Sequence, residues 1–219
     1  MRRRFTRHYP RGGYPRSATG AILYVLRRVP GLRPVAIVAV ALIGVLSFRQ
    51  SPPFVVAAVP YDRALYDHWI DADGDCQDSR TELLIARSET LAQLSADGCH
   101  VVAGRWHDGY STTILTDPKS LDIDHRIPLA EAHRSGADHW TAVQRRRFAN
   151  DIQDPDSLVI TSASTNRSKA DGDPASWLPL GAGKTCDYVA AWIRTKQRWQ
   201  LTMDPIESAW VKTLNLWCS

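Results

Sequence analysis

Residues 59–219 predict an α+β fold. Short runs rich in β-branched residues lie between segments with helical spacing and cap signals, and four cysteines are distributed through that part of the chain. The number of helices matches or exceeds the number of strands, and disulfides are expected to brace the whole.

The elements follow in chain order. Ser79 and Glu82 have the spacing of a capping box, and Leu83, Leu84, Ala86, Leu91 and Leu94 continue at helical intervals. VVAGRWHDGYSTTIL, residues 101–115, reads as a short hairpin turning at Asp108-Gly109. The segment LDIDHRIPLAEAH, residues 121–133, opens as a strand that Pro128 prevents from continuing. A helix is expected over 137–149, with Trp140, Val143 and Phe148 toward the core. SLVITSA, residues 157–163, reads as a second strand. Two helices close the chain, one over 186–200 and one capped by Asp204, with Pro205 in its first turn, reaching Trp217. Aromatic residues 188, 192, 199, 210 and 217 are expected as core anchors.

The front of the chain differs in kind. Residues 1–58 carry ten arginines and no acidic residue, and residues 35–48 form an apolar stretch of fourteen. A basic segment, a short apolar one and small residues after it describe an export signal, with Val56 and Ala58 before a cut at Val59. An uncleaved anchor that keeps the arginines on the cytoplasmic side is the alternative, and would make the membrane a partner. Beyond the leader, 17 basic residues face all 23 acidic ones, a balance of −6. The basic isoelectric point therefore belongs to the leader and is no argument for nucleic acid. An even cysteine count in an exported chain favours disulfides. Three pairings are open; Cys76–Cys99 and Cys186–Cys218 are expected, because each brackets one helical unit. No C-x-x-C spacing supports zinc.

Asp122, Asp124 and His125 crowd three ionisable groups into four positions. Side chains alternate along a strand, so Asp124 and His125 can serve one site only if the strand ends or bulges there. STNRSKADGDP, residues 164–174, adds Asn166, Arg167 and Lys169. Carboxylate and amide oxygens suit magnesium better than zinc. A neutral imidazole can take a proton from water, and guanidinium or ammonium groups can hold phosphate oxygens. These are the components of a phosphodiester hydrolase.

D-x-D-H-x-x-P followed by a second strand and N-R-x-K resembles the HNH, or ββα-metal, nuclease motif. The similarity is greatest to the HNH domain of RNA-guided DNA nucleases and to the GmrSD-type C-terminal domain with its exported bacterial relatives. The block DSLVITSASTNRSK aligns without a gap, and YDRALYDHWIDADGDC, FANDIQDPDSL and DPASWLP share the flanking pattern of the exported relatives. The resemblance covers most of residues 60–218. It implies a ββα-metal core in which His125 is the general base, and Asp124 and Asn166 hold one magnesium or similar divalent ion. Asp122 is a weaker ligand candidate. Arg167 and Lys169, and less strongly Arg126, would contact the nucleic-acid backbone. The implied reaction is hydrolysis leaving a 5′-phosphate and a 3′-hydroxyl, by a monomer, on DNA rather than RNA. Many relatives carry asparagine where this chain has Ser157.

DADGDCQDSRTE places Asp71, Asp73, Asp75 and Glu82 at positions 1, 3, 5 and 12 of an EF-hand-like calcium loop, with Cys76 where glycine is expected. An exposed acidic turn is the competing reading. The rival to an exported endonuclease is an inactive, calcium-stabilised module tethered to the membrane.

Overall fold

The computed structural model describes residues 60–219. The leader, its apolar stretch 35–48 and the cleavage point before Val59 lie outside the described residues. Among the described residues no helix is long and apolar enough to cross a membrane.

The fold is a mixture of helices and small antiparallel sheets tied by two disulfides. After a 3-10 turn at Arg63–Leu65 come α1 (Ser79–Ala86), β1 (Gln93–Leu94), β2 (Val101–Ala103), β3 (Trp106–His107), β4 (Ile114–Leu115) and β5 (Leu121–His125). Then follow α2 (Leu129–Arg134), a 3-10 turn at Ala137–His139, α3 (Ala142–Ala149), β6 (Leu158–Ser162), α4 (Ala163–Lys169), α5 (Ala182–Arg198) and α6 (Pro205–Cys218). The strands pair as β1–β2, β3–β4 and β5–β6, all antiparallel.

β5 and β6 organise the interior. Leu121 and Ile123 on β5, with Leu158 and Ile160 on β6, pack against Leu83 and Leu84 of α1 and Trp106 of β3. A second, larger core lies among the helices around Tyr66, Ile127, Trp177, Tyr188, Trp192 and Trp210. The β3–β4 loop is seated on β6. Gly109 donates its N–H to the Ile160 carbonyl at 2.9 Å, and a Cβ at Gly109 would collide with Val159. Asp108, buried beside it, accepts from Tyr110 N, Thr161 Oγ1 and Ser162 N, fixing the loop to the end of β6.

Both expected disulfides are present: Cys76–Cys99 and Cys186–Cys218. The second joins the start of α5 to the end of α6, so the two helices run antiparallel. α6 begins as its sequence indicates, with Asp204 as a capping box to Glu207 and Pro205 in the first turn.

Several expectations need correction. The cap of α1 is Asp78, whose carboxylate accepts from Thr81 N; Ser79 instead donates its hydroxyl to Asn150. Leu91 is 95% exposed and Leu94 belongs to β1, because α1 ends at Ala86. The 137–149 helix is broken in two, since Thr141 caps α3 with Gln144 and stops the preceding turn from continuing. Val143 then faces solvent, as does part of Trp217. In the 101–115 segment only 106–115 forms the hairpin, with a six-residue loop; residues 101–103 pair with β1. Helix α2, just after Pro128, was not anticipated.

Candidate active site

The β5–β6 register is regular from Leu121↔Ser162 to His125↔Leu158. Asp122 and Asp124 therefore share one face of the pair, and His125 leaves by the other. Ser162 ends β6 and caps α4 at once, its hydroxyl accepting from Thr165 N. The helix thus folds back against β5, and Asn166 and Lys169, three residues apart, face the two aspartates.

The contacts are specific. Asn166 Nδ2 donates to Asp122 Oδ2 at 3.0 Å. Lys169 Nζ lies 2.8 Å from Asp124 Oδ2 and donates to the His125 carbonyl at 2.9 Å. The Tyr110 hydroxyl donates to the same Asp124 oxygen at 2.7 Å. Burial lowers the Lys169 pKa, and the Asp124 carboxylate opposes that shift. Burial also pushes the Tyr110 phenol well above its ordinary range, with Asp124 adding to the effect.

These placements separate the basic residues of the motif. Lys169 is fully buried, so the expected contact with a nucleic-acid backbone is replaced by an internal ion pair. Arg126 is also buried; its Nε donates to the Asp156 carbonyl and its guanidinium lies over the Tyr110 ring. Arg167 alone of the three is exposed. Ser157 braces the loop before β6 by donating to Asp151 Oδ2 at 2.7 Å.

His125 sits on the opposite face, 6% exposed. Its Nε2 is 2.8 Å from the Ala149 carbonyl, which can only accept. Nε2 therefore carries the proton and Nδ1 keeps a lone pair. Burial pushes the imidazole down to about 3, against the Ala149 carbonyl; Arg63 is the foremost neighbouring charge disfavouring protonation. The ring lies against Trp69, His68 and Phe148. Trp69 holds φ 58°, a left-handed conformation that a bulky side chain rarely adopts. Of the two conditions set for Asp124 and His125 to serve one site, β5 does end at His125, and its register is regular up to that point with no bulge. Asn166 meets Asp122, Asp124 meets Lys169 and Tyr110, and the His125 ring contacts neither aspartate.

The acidic turn gathers separately. Asp71, Asp73 and Asp75 each offer an oxygen within 4.8 Å of the others, all exposed. Cys76 takes φ 73°, the left-handed conformation for which glycine is usual at that loop position. Glu82 lies close enough that burial, then the charges of Asp73, Asp75 and Asp71, raise its pKa. A cleft beside this turn is lined by Asp73, Glu82, Arg146, Arg147, Asn150 and Trp199. The sequence offered no signal for it beyond the arginine run 145–147. Tyr110, Ala149, Trp69, His68 and Arg63 were also missed as site neighbours, because each reaches the motif from a distant segment.

The sequence pattern of the GmrSD restriction endonucleases, C-terminal domain, matches residues 78–204, more than half of the chain. The protein belongs to this family. A relative from Arthroderma benhamiae, described as an uncharacterized secreted protein, is 35% identical over 156 residues, covering 71% of this chain and 74% of the relative. No solved structure matches. The part shared with the GmrSD C-terminal domain contains β5, β6 and α4, and with them Asp122, Asp124, His125, Asn166 and Lys169. Asp71, Asp73 and Asp75 lie before the matched segment of the GmrSD domain.

Proposed function

We propose that the protein is an exported, metal-dependent endonuclease that hydrolyses phosphodiester bonds in DNA, with β5, β6 and α4 as a ββα-metal core. The observation that carries this reading is the pinned tautomer of His125. A neutral imidazole whose Nε2–H is held by a backbone carbonyl presents Nδ1 as a proton acceptor of fixed direction. An anionic phosphodiester beside the ring favours its charged form, so substrate raises its basicity at the moment a water proton must be taken.

The residues opposite fit a hard divalent ion. Asp122 and Asn166 stand in contact and partly buried, and both bonds to the Asp124 carboxylate fall on Oδ2, leaving Oδ1 for a ligand role. Asp122, Asp124 and Asn166 would hold magnesium, which would supply charge stabilisation to the phosphate and the leaving oxygen. The two aspartate side chains leave β5 on the face opposite the His125 ring, so base and ion would meet one phosphate only at the strand end, where His125 is the last residue. Arg167 is the motif cation free to meet a phosphate. The export reading is supported by the two disulfides and by the secreted description of the relative.

Nicking of supercoiled plasmid by the intact protein with magnesium, beside His125→Ala and an EDTA control, tests the proposal. Equal nicking by both proteins removes His125 as the base. The Asp71–Asp73–Asp75 cluster favours a second reading, an inactive calcium-stabilised module tethered by the leader. A calcium-dependent rise in melting temperature with no cleavage in any metal would select it.

A further inference from the structure

We propose that Arg63 holds a non-bridging oxygen of the scissile phosphate beside His125; this rests on the phosphodiesterase reading above. Arg63 belongs to the 3-10 turn Arg63–Leu65, which Asp62 caps by accepting from Ala64 N. Its guanidinium is exposed, and Nη2 lies 3.1 Å from His68 Nε2. His68 Nδ1 is 2.7 Å from the Tyr66 carbonyl, so that nitrogen carries the proton and Nε2 is the acceptor for Arg63. The His68 ring stands edge-on to His125 with centroids 6.3 Å apart. One neutral histidine thus links the turn carrying Arg63 to the residue assigned as the base.

Among the described residues Arg63 enters no ion pair, and its side-chain partners are the neutral His68 ring and the Tyr61 phenol. Other arginines of the domain are committed: Arg105 to Glu89, Arg194 to Asp156, Arg198 to Asp151 and Asp154, and Arg87 and Arg126 to backbone carbonyls. A planar fork of N–H donors held beside the proposed base, with no carboxylate among the described residues in ion-pair contact with it, suits a phosphodiester oxygen. The turn is itself anchored. Arg145 Nε of α3 donates to the Leu65 carbonyl, and α3 also supplies the Ala149 carbonyl that pins His125. Base and clamp therefore share one support.

The test is binding of a fluorescent DNA duplex to the intact protein in EDTA, where no cleavage occurs, over a series of salt concentrations. Arg63→Gln is expected to weaken binding about tenfold and to lower the slope of log K against log salt by about one, the loss of a single phosphate contact. Arg63→Lys should keep the slope while losing part of the affinity. Arg105→Gln, whose guanidinium is already paired with Glu89, should match wild type. With magnesium added, cleavage by Arg63→Gln should fall in step with the binding loss or further. Melting temperature controls for folding, and Arg63→Lys reads the contact should Arg63→Gln be destabilised. A wild-type slope in Arg63→Gln overturns the assignment. Wild-type protein that neither binds nor cuts DNA overturns instead the nuclease reading on which it rests.

Discussion

The ammonium of Lys169 is completely buried 2.8 Å from Asp124 Oδ2, and the same group donates to the carbonyl of His125. One side chain from α4 thereby fixes both halves of the Asp124–His125 pair. Replacing Lys169 by Met strands a carboxylate away from water. Breaking such a buried pair costs about 3–5 kcal/mol, which for a domain of this size lowers the melting temperature by about 10 °C. Adding Asp124→Asn should restore part of the loss. A Lys169→Met protein that melts like wild type but binds DNA weakly would return Lys169 to a phosphate-contact role.

His125 and Asn166 should fail in different ways. On the proposed reading His125→Ala removes the proton acceptor, and the cleavage rate at saturating magnesium should drop by roughly 10²–10⁴-fold with little change in the magnesium needed for half-maximal rate. Asn166→Ala removes an oxygen donor next to Asp122, so it should raise that magnesium requirement. Rate measurements across a magnesium titration separate the two. Identical titration curves for both variants would contradict the division of roles.

α2, α5 and α6 share a second buried charge cluster with a definite pH signature. Lys196 Nζ meets Glu131 at 2.7 Å and Glu207 at 2.8 Å, while Trp192 Nε1 donates to Glu207 and Arg134 pairs with Glu131. Burial, opposed by Lys196 and reinforced by the Glu131 charge, pushes Glu207 up to about 8. Burial works against Glu131 as well, but Lys196 holds it below the ordinary carboxylate range. Between the ordinary value of 4.5 and about 8 the fold binds one proton more at Glu207 than the open chain does. Its stabilisation is therefore complete below that window and declines as pH rises through it. Glu131 acts oppositely, and its contribution is lost as pH falls below 4.5. Melting curves from pH 5 to 9 should decline less steeply for Glu207→Gln than for wild type. Parallel slopes would refute the assignment.

Asp108 offers a test of how the site is framed. It is buried and accepts from Tyr110 N, Thr161 Oγ1 and Ser162 N, joining the β3–β4 loop to the β6–α4 junction. Asp108→Ala leaves two backbone donors without that partner, at a cost of about 2–3 kcal/mol. Because Tyr110 also reaches Asp124, cleavage should fall by more than the folded fraction alone explains. Denaturant titration alongside rate measurement checks both parts.

What the sequence disclosed and what it hid follow from the range of the interactions involved. Asp204-Pro205, the SLVITSA strand and the stop at Pro128 are local signals, and each element stands where it was read. The motif residues also fall on the expected strand and helix. The burial of Lys169 was not legible, since its partner comes from β5, distant in the chain, and only packing decides that a lysine points inward. The same holds for Ser79, where Asp78 outcompeted it as a cap while Asn150 claimed its hydroxyl. Strand alternation did warn that His125 and Asp124 would diverge, and the regular register through His125 bears that warning out.

The two cystines span 23 and 32 residues of chain. Closing loops of that length removes enough freedom from the open chain to contribute about 3–4 kcal/mol each, against the roughly 5–15 kcal/mol that holds a typical domain together. A freshly made, reduced polypeptide would have little margin left with which to assemble β5, β6 and α4. On the proposed reading of an exported enzyme that cuts DNA, that dependence on oxidation would act as a safety catch, keeping the maker's own genome out of reach until the chain has left the cell.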